Sequence, residues 1–294
     1  MNREAGPPGS SITVLVPGPF TIIVDDGRRG RGHQGVARSG AIDQKSRALA
    51  NRLVGNDPGA AVLEMLLGPA EFLSGEDTFV AVTGARSGLS INGAACGLDA
   101  ACRVPPGSLV RIGSPTVGLR TYVAFRGGVA TEVVLGSRSY DTLGKIGRPP
   151  LQAGDVLPLG PSDAAGTPWL EPVPVAPLAT GVTATITLGP REDWISAASL
   201  AQLLSEPWIV RSDSDRTGIR LAGPALERRE TELASEAMIP GAIQVPANGQ
   251  PIVLGPDCGT TGGYPVVGVV VADDLGKIGQ MRPGDTIRFT AKRR

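Results

Sequence analysis

The 294-residue sequence is short of the side chains that most often carry chemistry: one histidine, three cysteines and only eleven tryptophans, tyrosines and phenylalanines together. A single imidazole, His33, excludes every two-histidine metal site. Cys96, Cys102 and Cys258 form no C-x-x-C pair, so no zinc tetrahedron can be built from the usual spacings, and no set of metal ligands is identified. An odd number of thiols, with no apolar signal-like run at the start, predicts a reducing, cytoplasmic location. No stretch reaches 18 uninterrupted apolar residues, so no membrane-spanning helix is predicted. Net charge is also lacking: 28 basic and 28 acidic residues cancel. That balance gives no reason to expect nucleic acid or an anionic membrane as a partner, since both demand a basic face. The few aromatics supply no obvious hot-spot patch for a protein partner.

What the chain has in excess is glycine and proline, 41 and 26 residues, close to twice their ordinary share, on a 41% apolar background. Many turns on a core of normal size point to short strands. β-Branched runs at Ile12 to Val16, Thr21 to Val24, Thr78 to Val82, Leu109 to Ile112, Thr121 to Phe125, Ile252 to Leu254, Val266 to Val271 and Thr286 to Phe289 each carry the strand signature. Only Asp43 to Val54 and Ser196 to Leu204 show helical spacing with start and stop signals. The expected class is mainly β with a few short helices.

Two halves are legible. Val104-Pro105-Pro106-Gly107, a strand, Thr116-Val117-Gly118 and a second strand recur as Val245-Pro246-Ala247-Asn248-Gly249, a strand, Thr260-Thr261-Gly262 and a strand. Each half ends alike, Gln152-Ala153-Gly154-Asp155 and Arg282-Pro283-Gly284-Asp285. A period this long indicates domain duplication rather than a solenoid, and two similar β-barrel-like domains follow. Between Pro158 and Pro177 periodicity disappears among six prolines. The expected organisation is a disordered N-terminus over 1–11, a first β subdomain over 12–160, a Pro-rich linker over 161–180 and a second β subdomain over 181–294.

Polar residues concentrate in three places. The first runs from Asp25 through Arg28, His33 and Ser39 to Asp43, with four arginines and five glycines, and leads into the first helix. Guanidinium forks and backbone N–H groups there suit an anion such as a carboxylate, phosphate or bicarbonate-like group. The spacing matches neither the Walker pattern nor a dinucleotide fingerprint. His33, set among arginines, is read as a proton acceptor. The second cluster, Asp213 to Leu221, holds Asp215 and Arg216 and reads equally as a salt-bridged turn or a ligand site. The third takes in Gln244 and Gln250 and ends in Thr260-Thr261-Gly262-Gly263-Tyr264-Pro265, a hydroxyl-bearing Gly-rich loop suited to a small ligand. Cys258 lacks a neighbouring histidine and is a weak nucleophile candidate.

These same residues resemble a known family, the stand-alone carboxyltransferase-like subunit found as allophanate hydrolase subunit 2 and as the C subunit of 5-oxoprolinase. The marks are Asp25-x-Gly27-Arg28, His33-x-Gly35-Val36, Ser39-Gly40-Ala41-x-Asp43, Ala50-Asn51-Arg52-Leu53-Val54-Gly55-Asn56, Ser214-Asp215-Arg216-x-Gly218-x-Arg220-Leu221, Gly249-Gln250-Pro251 and Thr260 to Pro265. Val24, Asp26 and Ala37-Arg38 depart from the family pattern and bear on fine substrate preference. The resemblance implies two cyclophilin-like β-barrel subdomains, a smaller companion subunit and, for 5-oxoprolinase, a third subunit. It also implies ATP with Mg2+ and the opening of 5-oxoproline to glutamate. Related domains move a carboxyl group from carboxybiotin to urea, but no Met-Lys-Met biotinylation motif occurs here, so no covalent biotin is expected on this chain.

On the lactam-opening reading, Arg28 and Arg216 would bind anion and His33 would move a proton. Asp25, Asp43 and Asp215 would position groups or hold magnesium. Ser39, Gln244, Gln250, Thr260, Thr261 and Tyr264 would contact the small-molecule substrate. Carboxyl transfer and a non-catalytic regulatory role are the alternatives.

Overall fold

The computed structural model describes residues 10–162, 165–231 and 233–292. Among the described residues, twenty strands and three short helices bear out the mainly β reading. The chain divides into two units. The first comprises the described residues through Gly27, Gln44–Tyr140 and Ile146–Pro177. The second comprises Arg28–Asp43, Asp141–Lys145 and the residues from Leu178 onward.

The first unit is two antiparallel sheets over one core. One runs Val156–Pro158, Ser11–Val16, Ala70–Ser74, Leu109–Ile112, Leu89–Ile91, Ala94–Cys96; the other runs Phe20–Val24, Val62–Leu66, Arg120–Phe125, Thr78–Gly84, Ala101–Val104. Alternate residues of both sheets, among them Ile12, Val14, Leu63, Val80 and Val123, are fully buried in a single cluster. Phe72 from one sheet meets Phe125 from the other edge to face at 6.1 Å. Helix α1 (Gln44–Leu53) lies against the second sheet, where Thr83 Oγ1 donates to the Ser46 carbonyl at 2.7 Å.

The second unit closes completely. Gly181–Leu188, Val266–Val270, Ala242–Gln244, Ile252–Leu254, Gly218–Ala222, Trp208–Val210 and Thr286–Ala291 form a seven-stranded barrel, sealed by the parallel pairing of its first and last members from Gly181↔Thr286 to Ile186↔Ala291. Closure leaves the barrel itself without an edge strand. Trp208 fills the interior at 0% exposure, and its indole N–H donates to the Leu203 carbonyl of α2 (Ala197–Ser205) at 3.2 Å. The Ser196 side chain caps α2 by accepting from Ser199 N.

The duplicated turns adopt one geometry. Gln152 N donates to Asp155 Oδ2 at 2.9 Å and Arg282 N to Asp285 Oδ2 at 2.8 Å. Gly154 and Gly284 share a left-handed φ of 91° and 93°. Gly154 N bonds the Val14 carbonyl and Gly284 N the Val210 carbonyl, at 2.8 and 2.9 Å. A carboxylate two residues after an alanine or proline and one after a glycine therefore builds the same strand-closing turn twice.

Three expectations change. The two units are not contiguous halves, since 28–43 and 141–145 cluster with the second. The expected linker clusters with the first unit through Pro177: Gly166 N donates to Gly55 O, Trp169 N to Leu53 O and Val173 N to Asp99 O, at 2.7 to 3.0 Å. Prolines remove periodicity without removing the carbonyls and remaining N–H groups that dock an extended segment. Of the expected disordered N-terminus, 1–9 lie outside the described residues, whereas Ser11 opens a paired strand.

A third helix, α3 (Ala272–Gly279), was not legible. Its Gly276 and Gly279 each cost roughly 1 kcal/mol of helix propensity relative to alanine. They are there for close approach: a Cβ at Gly276 would lie 2.7 Å from Asp43 Oδ1, and one at Gly279 2.9 Å from Ile42 Cγ2.

Candidate oxyanion-binding site

Every described residue lining the arginine-rich cavity belongs to the second unit. The cavity holds about 730 Å3 and is walled by three segments, 28–38, 237–240 and 258–261. The first is a loop pinched at its base by Arg28 N donating to the Arg38 carbonyl at 2.6 Å. Gly30 and Gly35, both at φ 75°, let it double back around the short turn Gly32–Gln34, with open space where a Cβ would stand. The other two walls are held together by the pairs Glu236↔Gly262 and Ala237↔Thr261 and by Met238 N donating to Thr260 O at 2.9 Å.

The lining carries one sign of charge. Arg28, Arg29, Arg38 and His33 line it together with Thr260 and Thr261, and no aspartate or glutamate is among the described lining residues. Met238, Ile239 and Pro240 make the apolar side. Arg28 is 2% exposed, so its charge acts in a poorly hydrated setting where electrostatic attraction is strengthened. An acceptor-rich anion is what such a cavity selects. The donors are side chains of a loop, and none of the lining residues belongs to α1.

A buried ion pair ties the walls to one point. Arg216 donates through Nε to Asp257 Oδ2 at 2.8 Å and through Nη2 to Oδ1 at 3.2 Å, and also to the Gly40 carbonyl at 2.6 Å. Asp257, 0% exposed, further accepts from Thr142 N and Oγ1 at 3.1 and 2.7 Å. Ser39 N donates to the Pro256 carbonyl at 2.8 Å. The segment entering from the arginine loop and the segment leading to Cys258 therefore share this pair. Gly255 is required beside it, because a Cβ there would lie 2.1 Å from the Arg216 carbonyl.

Of the residues expected to act, Arg28, His33, Thr260 and Thr261 meet in the cavity. Arg216 lies in the ion pair. Gln244 is buried behind the cavity wall, its Nε2 donating to Met238 Sδ at 3.2 Å and to the Tyr264 carbonyl at 3.3 Å. Ser39 sits at φ 55° with its hydroxyl buried and without a hydrogen bond among the described residues, and it does not line the cavity. Asp43 accepts from Gln280 Nε2 at 3.0 Å. Asp215 closes an exposed turn by accepting from Thr217 N, Thr217 Oγ1 and Gly218 N. Gln250 and Tyr264 line a different cavity.

Asp25 belongs to the first unit and holds a turn there. Its carboxylate accepts from Ser137 and Ser139 hydroxyls and from the backbone N–H groups of Gly27 and Arg138 at 2.5 to 2.8 Å. Burial works to raise its pKa, and these four donors together outweigh burial and hold it below the ordinary value. A lowered folded pKa stabilises the fold above the unfolded value of about 3.9 and ceases to do so as pH falls through the folded value. The stability gap between the wild type and Asp25→Asn, measured by urea unfolding, is therefore expected to be constant near neutrality and to shrink below about pH 4. A gap that widens on acidification would refute the assignment.

The residues missed from sequence are Arg29, Arg38, Asp257 and Thr142. The arginines lay inside the dense polar stretch, whereas Asp257 and Thr142, 115 positions apart, carried no local signal. Cys258 does line the cavity, but burial first, and then the charges of Asp257 and Asp141, push its thiol up to about 12, so it is no thiolate at neutral pH.

The carboxylates expected to hold magnesium do not meet. None lines the cavity, and the described residues contain no group of three or more His, Cys, Asp or Glu able to hold a metal ion. The donor set fits the phosphate oxygens of a nucleotide and does not fit a divalent cation.

A family model described as the carboxyltransferase domain, subdomain A and B, matches residues 34–291. The chain is 34% identical over 282 residues to the C subunit of 5-oxoprolinase from Escherichia coli (strain K12), covering 95% of this chain and 90% of that one. It is 33% identical to a urea amidolyase of Lachancea kluyveri across 95% of this chain but 17% of that protein. Among solved structures, the K. lactis urea amidolyase superposes with a TM-score of 0.90 at 29% identity, over 99% of this chain and 19% of that one. TTHA0988 superposes with a TM-score of 0.88 at 36% identity, over 97% and 56%. A match over nearly the whole chain, in sequence and in fold, makes it a member of the carboxyltransferase-domain family.

Proposed function

We propose that this chain is the carboxyltransferase-type subunit of an ATP-dependent 5-oxoprolinase complex, which opens the lactam of 5-oxoproline to glutamate. The observation that carries the reading is the similarity to the 5-oxoprolinase C subunit over 90% of that protein's length. The arginine-lined cavity is consistent with it, because 5-oxoproline is a carboxylate and ATP is a polyanion. A smaller companion of the B-subunit type, and a third subunit, complete the proposed complex.

ATP supplies the phosphoryl group that relieves the amide resonance protecting a lactam from water. This chain's residues would orient the anionic groups and stabilise charge that grows on oxygen as the ring opens, a task for preorganised arginine donors. Arg28 does this from a buried position, while Arg29 and Arg38 meet the anion from the loop. The Thr260 and Thr261 hydroxyls orient the ligand against the apolar side. His33, exposed on the loop, would take a proton from the attacking water or deliver one to the departing nitrogen.

Carboxyl transfer to a urea-like nitrogen is a second reading, favoured by the family description and by the urea amidolyase superposition. One experiment separates them. The chain is co-purified with the products of its neighbouring genes, and ATP hydrolysis is measured with 5-oxoproline, urea and allophanate in parallel. Stimulation by 5-oxoproline alone, with glutamate formed, is expected. Stimulation by urea alone would favour carboxyl transfer, and stimulation by none would overturn both.

A further inference from the structure

The second unit holds another polar cavity, of about 290 Å3, whose described lining shares no residue with the first. It lies beyond the end of strand Trp208–Val210, across the outward face of Gly218–Ala222 and against the turn 246–250. Two side chains expected from sequence to bind substrate, Gln250 and Tyr264, line this cavity and not the first. The ligand motifs of the chain are thus divided between two places.

The hydrogen-bonding state of the lining is one-sided. The only carboxylate among its described lining residues, Asp213, is engaged by Arg211 through Nε at 2.9 Å and Nη2 at 3.0 Å and stands 3.9 Å from Arg220 Nε. The Gln250 amide is paired at both ends with Gly223, at 2.9 and 3.1 Å. Asn248 Oδ1 accepts from Gln250 N at 3.1 Å. The carboxylate and amide acceptors are therefore engaged, and donors remain. Arg220 gives its Nε to the Asp213 carbonyl at 3.2 Å, an anchor that aims the guanidinium. Its two Nη groups, the Asn248 Nδ2 and the Tyr264 hydroxyl make no hydrogen bond among the described residues. Tyr122 and Tyr140 are buried, whereas Tyr264 is 47% exposed. Two arginines against one aspartate leave the cavity positive.

We infer that this cavity is a second oxyanion site, for a small carboxylate of amino-acid size. A guanidinium fork matches a carboxylate with two parallel bonds. The phenol and the amide supply further donors, and Ile252, paired with Arg220 across the strands, with Pro251 beside it, gives an apolar bed for a short carbon chain. The volume sits at the lower end for small-molecule sites. The inference does not depend on the oxoprolinase reading.

The exposed tyrosine makes the test direct. The full chain is labelled with 3-fluorotyrosine, which gives three fluorine resonances for its three tyrosines, and the Tyr264 signal is identified by its loss in Tyr264→Phe. Glutarate and inorganic phosphate are titrated separately at constant ionic strength. A saturable shift of the Tyr264 signal with glutarate, reached at lower concentration than with phosphate, is expected. Arg220→Gln, and independently Asn248→Ala on its exposed turn, should weaken glutarate binding, the former by about tenfold or more. Arg38→Gln, in the first cavity, should leave it unchanged. No saturation, or equal response to phosphate and glutarate, would mean an adventitious ion only and would overturn the proposal. So would binding that survives Arg220→Gln.

Discussion

Replacing Asp257 by asparagine is expected to destabilise the second unit by about 3–5 kcal/mol, the typical result of removing one partner from a buried ion pair. The amide keeps the volume, so no cavity opens. What is lost is the charge facing Arg216, which is itself 4% exposed and has no route to water. Thr142 loses its charged acceptor as well, at 2.7 Å from the hydroxyl. Urea unfolding of the purified chain would show the change as a lower midpoint, and a loss under about 1 kcal/mol, the range of surface pairs, would refute it. Removing both charges at once, as Arg216→Met with Asp257→Leu, should recover much of the loss, because the desolvation cost then disappears from both sides. Recovery of stability without recovery of ligand affinity would show that the pair's further task is to hold the two walls of the cavity.

Arg28→Ala is expected to lower turnover of the full complex by about 10²–10³-fold, the usual effect of deleting one preorganised donor to a growing oxyanion, or about 2.7–4 kcal/mol. The effect should fall on kcat more than on KM, since a group that matters mainly in the transition state does not set substrate affinity. Arg28→Lys keeps the charge without the planar fork and should lie between the two. Added guanidinium should partly restore the alanine variant, an outcome a purely structural arginine would not give. Unchanged turnover in Arg28→Ala would remove this residue from the mechanism.

The sequence carried the strands well because their signal is local. Leu109–Ile112 and Ile252–Leu254 are read without error, and Ser11–Val16 and Arg120–Phe125 within one residue at an end. Helix α2 was legible from its leucines at helical spacing before Pro207. Helix α3 was hidden by glycines whose reason for being there, contact with Ile42 and Asp43, lies more than 230 positions away in the chain. The Pro-rich stretch misled for a related reason. Composition shows that 161–180 forms neither helix nor strand, and it cannot show that Leu53 and Asp99 offer carbonyls to it.

The candidate site divides in the same way. Arg28, His33, Thr260 and Thr261 were identified because charge, imidazole and hydroxyl declare their chemistry wherever they stand, and each faces the cavity. Arg216 and Asp25 were assigned by the same reasoning and proved to be holding groups, one saturated by Asp257 and the other by two serines and two backbone amides.

By itself, then, the sequence determined the class of the fold and the places where polar chemistry gathers. These depend on periodicity, turn residues and side-chain type, all properties of neighbours along the chain. Only the tertiary structure decided which charges face a ligand cavity. A net charge of zero conceals a cavity whose described lining holds three arginines and no acid, because acids such as Asp25, Asp215 and Asp257 are folded elsewhere into turns and a buried pair. Whether an arginine binds substrate or an aspartate depends on what lies within about 3 Å of it, and that is set by residues far away in sequence.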